Sequence, residues 1–254
     1  MSTAQKNLLG IMDWGIGGLS IGRAVKSALG DVPFVYLSDS GATPYGKMLR
    51  NELTARLSGA IKFLRAQGVT HLVVACNAAS TVIPFVEPTG MRIEGVIETA
   101  VVTTLRMRPA RLALIGGRRT VLSGTYRKAF AEHGIKVQQR IAQPLSALIE
   151  RGDVNSPDLL ELCRRILAPV RNCSHLLIAC THYPAAMESL RKCVSASTVL
   201  IDPADELVKK IAKWKFSRGG PDVFFTTGHQ GKMKQAALAA FGVRIKTARP
   251  AAFQ

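Results

Sequence analysis

Short apolar runs alternate with longer segments of mixed polarity along the chain, a pattern typical of strands that alternate with helices. The apolar runs that we interpret as strands are 8–12, 33–37, 71–75, 111–115, 136–140, 175–179 and 222–226. The intervening segments that we interpret as helices are 20–28, 50–67, 123–133, 157–170 and 232–241. This alternation predicts an α/β fold with mainly parallel sheets flanked by helices.

Two segments of the chain, 71–80 and 175–184, are near copies of each other. In each copy an apolar run ends at a cysteine, Cys76 or Cys180, and a small polar residue follows directly. The elements that precede each copy also correspond: a strand, a glycine-rich turn, a helix, a strand and a second helix. The duplication predicts two pseudo-symmetric domains that each contribute one thiol to a shared cleft.

The same correspondence predicts the domain boundaries. We assign residues 1–96 and 208–254 to a first domain and residues 97–207 to a second, with the crossover between them within 93–104. Ligands of open α/β sheets bind beyond the carboxyl ends of the strands. The active site is therefore expected in the inter-domain cleft, where the predicted strands end.

The chain is strongly basic, with 34 Lys and Arg residues against 17 Asp and Glu residues and a formal net charge of +17. Such an excess attracts anionic partners, either nucleic acid or an acidic small molecule. The charges are spread along the chain, without a basic tail, a zinc finger or an aromatic-basic RNA signature. We interpret them as a solvated basic surface, and a dedicated nucleic-acid site is the alternative.

The apolar runs and the first residues of the chain bear on its compartment. No run approaches the ~18 apolar residues that span a bilayer, so we expect no membrane association. The first residues lack the apolar core of a secretory signal, and the cytoplasm is therefore the predicted compartment.

The five cysteines are odd in number and form no Cys-x-x-Cys pair. Their irregular spacing disfavours both a disulfide framework and a zinc site, so no metal is expected. Cys163 and Cys193 fall in predicted helices, where we interpret each as a small buried apolar residue. We give Cys173 the same interpretation. Cys76 and Cys180 remain as the candidates for chemistry.

Two thiols that face one carbon from opposite sides are the groups that a racemase without a cofactor would use to move a proton. A free thiol is only a few per cent thiolate near pH 7, so each cysteine needs a neighbour that helps it to exchange a proton. Asp13 follows a predicted strand and could serve Cys76, whereas His182 would point to the side of Cys180 if the chain stays extended. Taken singly, the aspartate could equally be a helix cap and the histidine a turn residue.

A glycine-rich turn follows the first predicted strand. Its Gly15, Gly17 and Gly18 suggest a dinucleotide site, but Ser20 stands where the third glycine of that motif belongs. We therefore interpret the segment as a tight turn whose backbone N–H groups meet an anion at the start of a helix.

An ordered set of motifs resembles the glutamate racemases, which belong to the cofactor-independent aspartate/glutamate racemase family. The motifs that carry the resemblance are Asp13 with Gly-Ile-Gly-Gly-Leu at 15–19, Pro-Tyr-Gly at 44–46, Ala-Cys-Asn at 75–77, Ala-Cys-Thr-His-Tyr-Pro at 179–184 and Phe-Phe-Thr-Thr-Gly at 224–228. The resemblance covers nearly the whole chain. It implies interconversion of L- and D-glutamate without pyridoxal or another cofactor, and a supply of D-glutamate for peptidoglycan.

The resemblance also implies the roles of the catalytic residues. Cys76 and Cys180 would be the two acid/base thiols, each deprotonating one enantiomer. Asp13 would assist Cys76, and His182 would assist Cys180. Glu150 would support the second thiol, although its motif is looser and an exposed helical glutamate is the alternative.

The same family pattern assigns substrate contacts. Asn77 and Thr181 would hold the α-carboxylate and the amino group. Tyr45 and Gly46 would hold the side-chain carboxylate. By analogy with the family we also expect a homodimer.

Two departures from the family pattern concern the substrate site. Trp14 stands where the family usually has serine, and Ala78 stands where it usually has threonine. Each change removes a hydroxyl, and an ordinary hydrogen bond contributes about 0.5–1.5 kcal/mol. The same reaction on aspartate or another amino acid is therefore an alternative. A second alternative is a non-catalytic binding protein on the racemase scaffold, with nucleic acid or DNA gyrase as its partner.

Overall fold

The strands of the computed structural model, which describes residues 7–253, form two sheets in which all neighbouring strands are parallel. The strands are β1 Leu9–Asp13, β2 Phe34–Ser38, β3 His71–Val74, β4 Arg92–Gly95, β5 Leu112–Gly116, β6 Val137–Ile141, β7 His175–Ala179, β8 Val199–Ile201, β9 Val223–Thr226 and β10 Ala248–Pro250. The first sheet has the order β10-β9-β2-β1-β3-β4, and the second has the order β6-β5-β7-β8. The fold class is therefore the predicted one.

The helices connect the parallel strands and cover both sheets. They are α1 Leu19–Leu29, α2 Arg50–Ala66, α3 Asn77–Ser80, α4 Val96–Arg106, α5 Arg118–Leu122, α6 Thr125–Ala131, α7 Gln143–Ile149, α8 Pro157–Leu167, α9 Met187–Arg191, α10 Ala204–Ala212 and α11 Gln230–Phe241. Helix α4 connects the first sheet to the second, and α10 lies before the segment in which the chain returns to the first sheet. These two helices pack against each other. We propose that the two sheets are the cores of the two domains, with the boundaries predicted above.

The apolar runs become strands because both faces of each sheet are covered, as is usual for parallel sheets. All five residues of β1 are buried. Leu9 and Ile11 join the apolar cluster on one face of the first sheet, whereas Met12 joins the cluster on the other. Since fully burying such a side chain contributes about 1.5–3 kcal/mol, continuous apolar runs stabilise these central strands.

Local signals set the ends of several helices. The hydroxyl of Ser156 accepts the backbone N–H of Leu159, and Pro157 occupies the first turn of α8. This is the usual start of a helix. Gly68, with φ at +85°, follows the end of α2 in a conformation that glycine adopts without strain.

The predicted helices and strands differ from the observed ones where the observed element is short or interrupted. The crossover predicted within 93–104 is the end of β4 followed by α4. The helix predicted for 123–133 is preceded by a separate helix, α5, and starts after Gly124, which has φ at +72°. Cys193, predicted to be helical, lies in the turn after α9 and is half-buried. Strands β8 and β10 have only three residues each, too few for a recognisable alternation.

No helix within residues 7–253 is both long enough and apolar enough to span a membrane.

Candidate active site

The two thiols lie at the carboxyl ends of equivalent strands, one in each sheet. Cys76 follows β3 and is the residue before α3, with extended backbone angles of −140° and 118°. Cys180 directly follows β7 and is half-buried. Both thiols line one cavity of about 40 Å³, and every predicted site residue except Glu150 also lines it. The structure thus brings the predicted residues together in one place.

Asp13 lies at the centre of this group, at the end of β1, and only 1% of it is exposed. Its carboxylate accepts the backbone N–H of Trp14 at 2.7 Å and the hydroxyl of Thr181 at 2.8 Å, and lies 4.0 Å from Nδ1 of His182. Burial raises the pKa of Asp13, while nearby His182 and Cys76 oppose that rise. The carboxylate is therefore placed between the two thiol sides rather than on the Cys76 side alone.

His182 reaches Cys180 by a route that differs from the expected extended chain. Its backbone is helical, with φ −74° and ψ −36°, and a 3₁₀ turn at Tyr183–Ala186 follows it. Nδ1 of the ring nevertheless lies 3.9 Å from the Cys180 sulfur, and Nε2 lies 2.8 Å from Oε2 of Glu150. The expectation of an extended chain is wrong, but the contact between His182 and Cys180 is present.

Glu150 lies directly after α7 and links His182 to the glycine-rich turn. Its side chain is 17% exposed, and Oε2 accepts the backbone N–H of Ile16 at 2.9 Å in addition to its bond with His182. Burial by itself lowers the pKa of His182, but hydrogen bonds with Cys180 and Glu150 and the charges of Cys180 and Asp13 raise that pKa well above its usual value. The geometry thus favours a protonated imidazole beside the second thiol.

Replacing Glu150 with glutamine is expected to lower the pKa of His182 and to reduce the unfolding free energy by about 2 kcal/mol at neutral pH. The folded-state pKa of His182 lies above its unfolded value near 6.5. The resulting stabilisation is therefore complete below about pH 6.5 and is lost as pH rises through the folded-state pKa. The difference between Glu150→Gln and the wild type should accordingly narrow in the alkaline range.

Urea unfolding at a series of pH values and an NMR titration of His182 measure both effects. Glu188→Gln, on an exposed position of α9, is the matched control. An unchanged His182 pKa in Glu150→Gln would contradict the coupling between the two side chains.

Cys76 has a different environment from Cys180. It is only 8% exposed. Burial raises the pKa of its thiol well above the usual value, and the charge of the Asp13 carboxylate raises it further. At neutral pH Cys76 is therefore a thiol that can give a proton. Cys180 instead lies beside the imidazole of His182, which favours its protonated form.

The polar groups of Asn77 and Thr181 have fixed orientations. Oδ1 of Asn77 accepts the hydroxyl of Tyr126 at 2.7 Å, which leaves the amide N–H groups of Asn77 as donors. Thr181 donates its hydroxyl hydrogen to Asp13, which leaves its oxygen as an acceptor. The cavity thus offers donors on the Cys76 side and acceptors on the Cys180 side.

Tyr45 lines the cavity, but its hydroxyl is committed elsewhere. It donates to Oδ2 of Asp39 at 2.7 Å. Asp39 is fully buried, forms an ion pair with Arg56 at 2.6 Å and accepts the hydroxyl of Thr227 at 2.7 Å. This network fixes the segment that contains Gly46, so the backbone at Gly46 is the group this segment presents to a ligand.

The two departures from the family pattern form an apolar part of the cavity wall. The indole N–H of Trp14 donates to the backbone oxygen of Ala42 at 3.0 Å, and the ring packs against the cluster that contains Tyr45. Ala78 is 9% exposed and presents only a methyl group. Neither side chain offers a hydrogen bond to a ligand at this point.

Four residues of the cavity wall were not predicted from the sequence. They are Gly117, Thr120, Gln143 and Ser146, all from the second sheet and its helices. A signal for them was available, because Gly117 directly follows β5 and Gln143 lies two residues after β6. Both positions are strand ends, where ligands of such sheets bind.

Two parallel sheets whose strand ends bring two thiols, a carboxylate and an imidazole to one cavity are compatible with one class of protein, the amino-acid racemases. A family model described as Asp/Glu/Hydantoin racemase matches residues 9–211. The chain belongs to this family. It is an isomerase, specifically an amino-acid racemase.

Individual relatives and solved structures agree with this assignment. The glutamate racemase of Synechococcus sp. (strain CC9605) is 32% identical over 80% of this chain and 78% of its own. The structure of glutamate racemase isoform RacE1 from Bacillus anthracis has a TM-score of 0.88 at 23% identity, covering 98% of both chains. That of glutamate racemase from Thermus thermophilus in complex with beta-chloro-D-alanine has a TM-score of 0.85 at 25% identity, covering 97% of both chains.

Proposed function

We propose that the chain interconverts L- and D-glutamate by proton transfer between two thiols, Cys76 and Cys180. The observation that carries this proposal is that both sulfur atoms line one cavity with partners of different kinds. Cys76 is a buried thiol beside a carboxylate, and Cys180 lies beside an imidazole held by Glu150. Its D-glutamate product would serve peptidoglycan synthesis, as the family resemblance implies.

The proton transfer needs one base and one acid on opposite sides of the α-carbon. A Cys180 thiolate paired with protonated His182 takes the α-proton, and the electron pair of the broken C–H bond moves into the α-carboxylate. The Cys76 thiol then gives its proton to the opposite face, and the electron pair returns to form the new C–H bond. The two thiols finish with exchanged protonation states, so the reverse reaction starts at Cys76.

The orientation of the polar groups suggests how the substrate is held. The free N–H groups of Asn77 suit the α-carboxylate, which accumulates negative charge as the proton leaves. The oxygen of Thr181 and the Asp13 carboxylate suit the ammonium group. The backbone at Gly46 is left for the side-chain carboxylate, because the Tyr45 hydroxyl is already used by Asp39.

We infer that the cleft opens to load its substrate and closes again during the reaction. In the structure the cavity is narrow, with a volume of about 40 Å³. Closure over the substrate would exclude water from the reacting carbon.

An amino-acid panel tests the function and the substrate together. In D₂O, L- and D-glutamate are expected to exchange the α-proton, with kcat/KM at least about tenfold above that for aspartate or a neutral amino acid. NMR or mass spectrometry measures the deuterium, and the variant with both Cys76→Ser and Cys180→Ser is the matched control. A preference for aspartate or a neutral amino acid would support the alternative that the apolar Trp14 and Ala78 motivate.

Absence of exchange for every amino acid, with both thiols intact, would contradict the proposed function. Salt-sensitive binding to DNA or gyrase by such an inactive protein would then support the non-catalytic alternative. The homodimer, the gyrase partner and the cytoplasmic location stay predictions from the sequence and the family resemblance.

A further inference from the structure

The side chain of Gln143, the first residue of α7, forms part of the cavity wall. Its Oε1 accepts the backbone N–H of Arg118 at 3.1 Å, and its Nε2 donates to the hydroxyl oxygen of Ser146 at 3.0 Å. The Ser146 hydroxyl in turn donates to the backbone oxygen of Gln143 at 2.7 Å. The amide is therefore held at both ends, and its orientation is fixed before any ligand arrives.

This amide lies between two glycines that belong to opposite walls of the cavity. A methyl group added to Gly117 would lie 2.9 Å from Oε1 of Gln143, and one added to Gly46 would overlap the same atom. Gly117 follows β5 of the second sheet, whereas Gly46 follows β2 of the first. Gln143 thus packs against the backbone of the opposite wall beside Gly46.

One hydrogen-bond donor of Gln143 remains free for a ligand. A carboxamide nitrogen carries two N–H bonds, and Nε2 uses one of them on Ser146. Within residues 7–253 the other N–H has no hydrogen-bond acceptor. It belongs to a side chain that borders the cavity beside Gly46, the segment to which the side-chain carboxylate was assigned above.

We propose that Gln143 determines specificity, by donating its free amide N–H to the side-chain carboxylate of an acidic substrate. This inference rests on the proposed function and names the group that selects its substrate. Because the amide is anchored at both ends, it fixes the distance between the thiols and the bound carboxylate. A site that fixes this distance prefers glutamate to the shorter aspartate, and it rejects neutral side chains that would leave the N–H unpaired.

Two substitutions of Gln143 distinguish the effect of its amide N–H donor from the effect of its side-chain volume. Gln143→Met keeps the length of the side chain and removes the N–H groups. Gln143→Glu keeps the shape and places a negative charge against the substrate carboxylate. We expect KM for glutamate to rise about tenfold in Gln143→Met and about a hundredfold in Gln143→Glu, with kcat changed by less than about threefold, because neither thiol is touched.

Gln138→Glu, at an exposed position of β6, is the matched control for the added charge and should keep the wild-type KM. Ser146→Ala frees one end of the amide and is expected to raise KM about threefold. Calorimetric titration with glutamate measures binding independently of turnover. Thermal melting shows that each variant is folded.

The outcomes distinguish this inference from the proposed function. A wild type that racemises glutamate, with KM unchanged in folded Gln143→Met and Gln143→Glu, would overturn the assignment of Gln143 and leave the racemase in place. A wild type that exchanges the α-proton of no amino acid would overturn the proposed function, and the assignment of Gln143 with it.

Discussion

Replacing either Cys76 or Cys180 with serine is expected to lower kcat/KM for racemisation by about 10³-fold or more. The alcohol of serine is a far weaker acid than a thiol, so it can neither give nor take the α-proton at a comparable rate. The two enantiomers have equal free energies in water. Each variant must therefore lose the same factor in both directions.

Both single variants should lose racemisation, but they should differ in which enantiomer exchanges its α-proton for deuterium. Each of them keeps the thiol that faces one enantiomer, so we expect slow deuterium exchange into that enantiomer without inversion. Cys76→Ser and Cys180→Ser should favour opposite enantiomers, because the two thiols are proposed to face opposite sides of the α-carbon. Chiral chromatography with mass spectrometry measures both quantities.

Cys193→Ser is the matched control, because this half-buried cysteine lies in the turn after α9 and does not line the cavity. It should keep wild-type activity. More than about a tenth of wild-type racemisation in either of the active-site variants would show that one thiol is sufficient, and the two-thiol mechanism would then be wrong.

Replacing Asp13 with asparagine is expected to lower kcat by about 10²-fold to 10³-fold. The substitution removes the negative charge that acts on Cys76 and His182, and it changes the acceptor of the Thr181 hydroxyl. Because that charge helps to raise the pKa of His182, its loss lowers this pKa. The alkaline limb of the pH–rate profile should move to lower pH if protonated His182 is required.

Although Asp13→Asn lowers kcat, it is not expected to lower the unfolding free energy. Burial raises the pKa of Asp13 above its unfolded value, so the wild type loses stability as pH rises from about 4 through the folded-state pKa. Asparagine carries no charge and abolishes this loss. Asp13→Asn should therefore be at least as stable as the wild type at neutral pH, while it is much less active.

Urea unfolding between pH 3 and pH 8, together with pH–rate profiles, checks both effects. Asp31→Asn, at an exposed position, is the matched control and should change neither activity nor the pH dependence of stability. A large loss of unfolding free energy in Asp13→Asn at neutral pH would show that the carboxylate is mainly structural.

The sequence was sufficient for the fold class because central parallel strands bury both faces. The resulting apolar runs, such as β1 and β7, are visible without any knowledge of their partners. Strands β8 and β10 were missed because three residues are too few to show a periodicity. Helix α7 was missed because it follows the polar strand β6 with only Ala142 between them.

The sequence alone also indicated several of the residues that meet at the cavity, although not Gly117, Thr120, Gln143 or Ser146. Cys76, Cys180 and Asp13 each lie at or just after the end of a strand, and parallel strands place such ends at one edge of a sheet. The duplication identified the two thiols as equivalent, and the resemblance supplied the remaining candidates. Position along the strand is a local property, so it can be read from the chain.

Only the tertiary structure decided how these residues are partnered. It placed Asp13 against Thr181 as well as beside Cys76, and it committed the Tyr45 hydroxyl to Asp39. It also brought Gln143 against Gly46 from the other side of the cavity. These contacts join residues far apart in the chain, and their geometry depends on how the two sheets face each other. No periodicity within either segment encodes that arrangement.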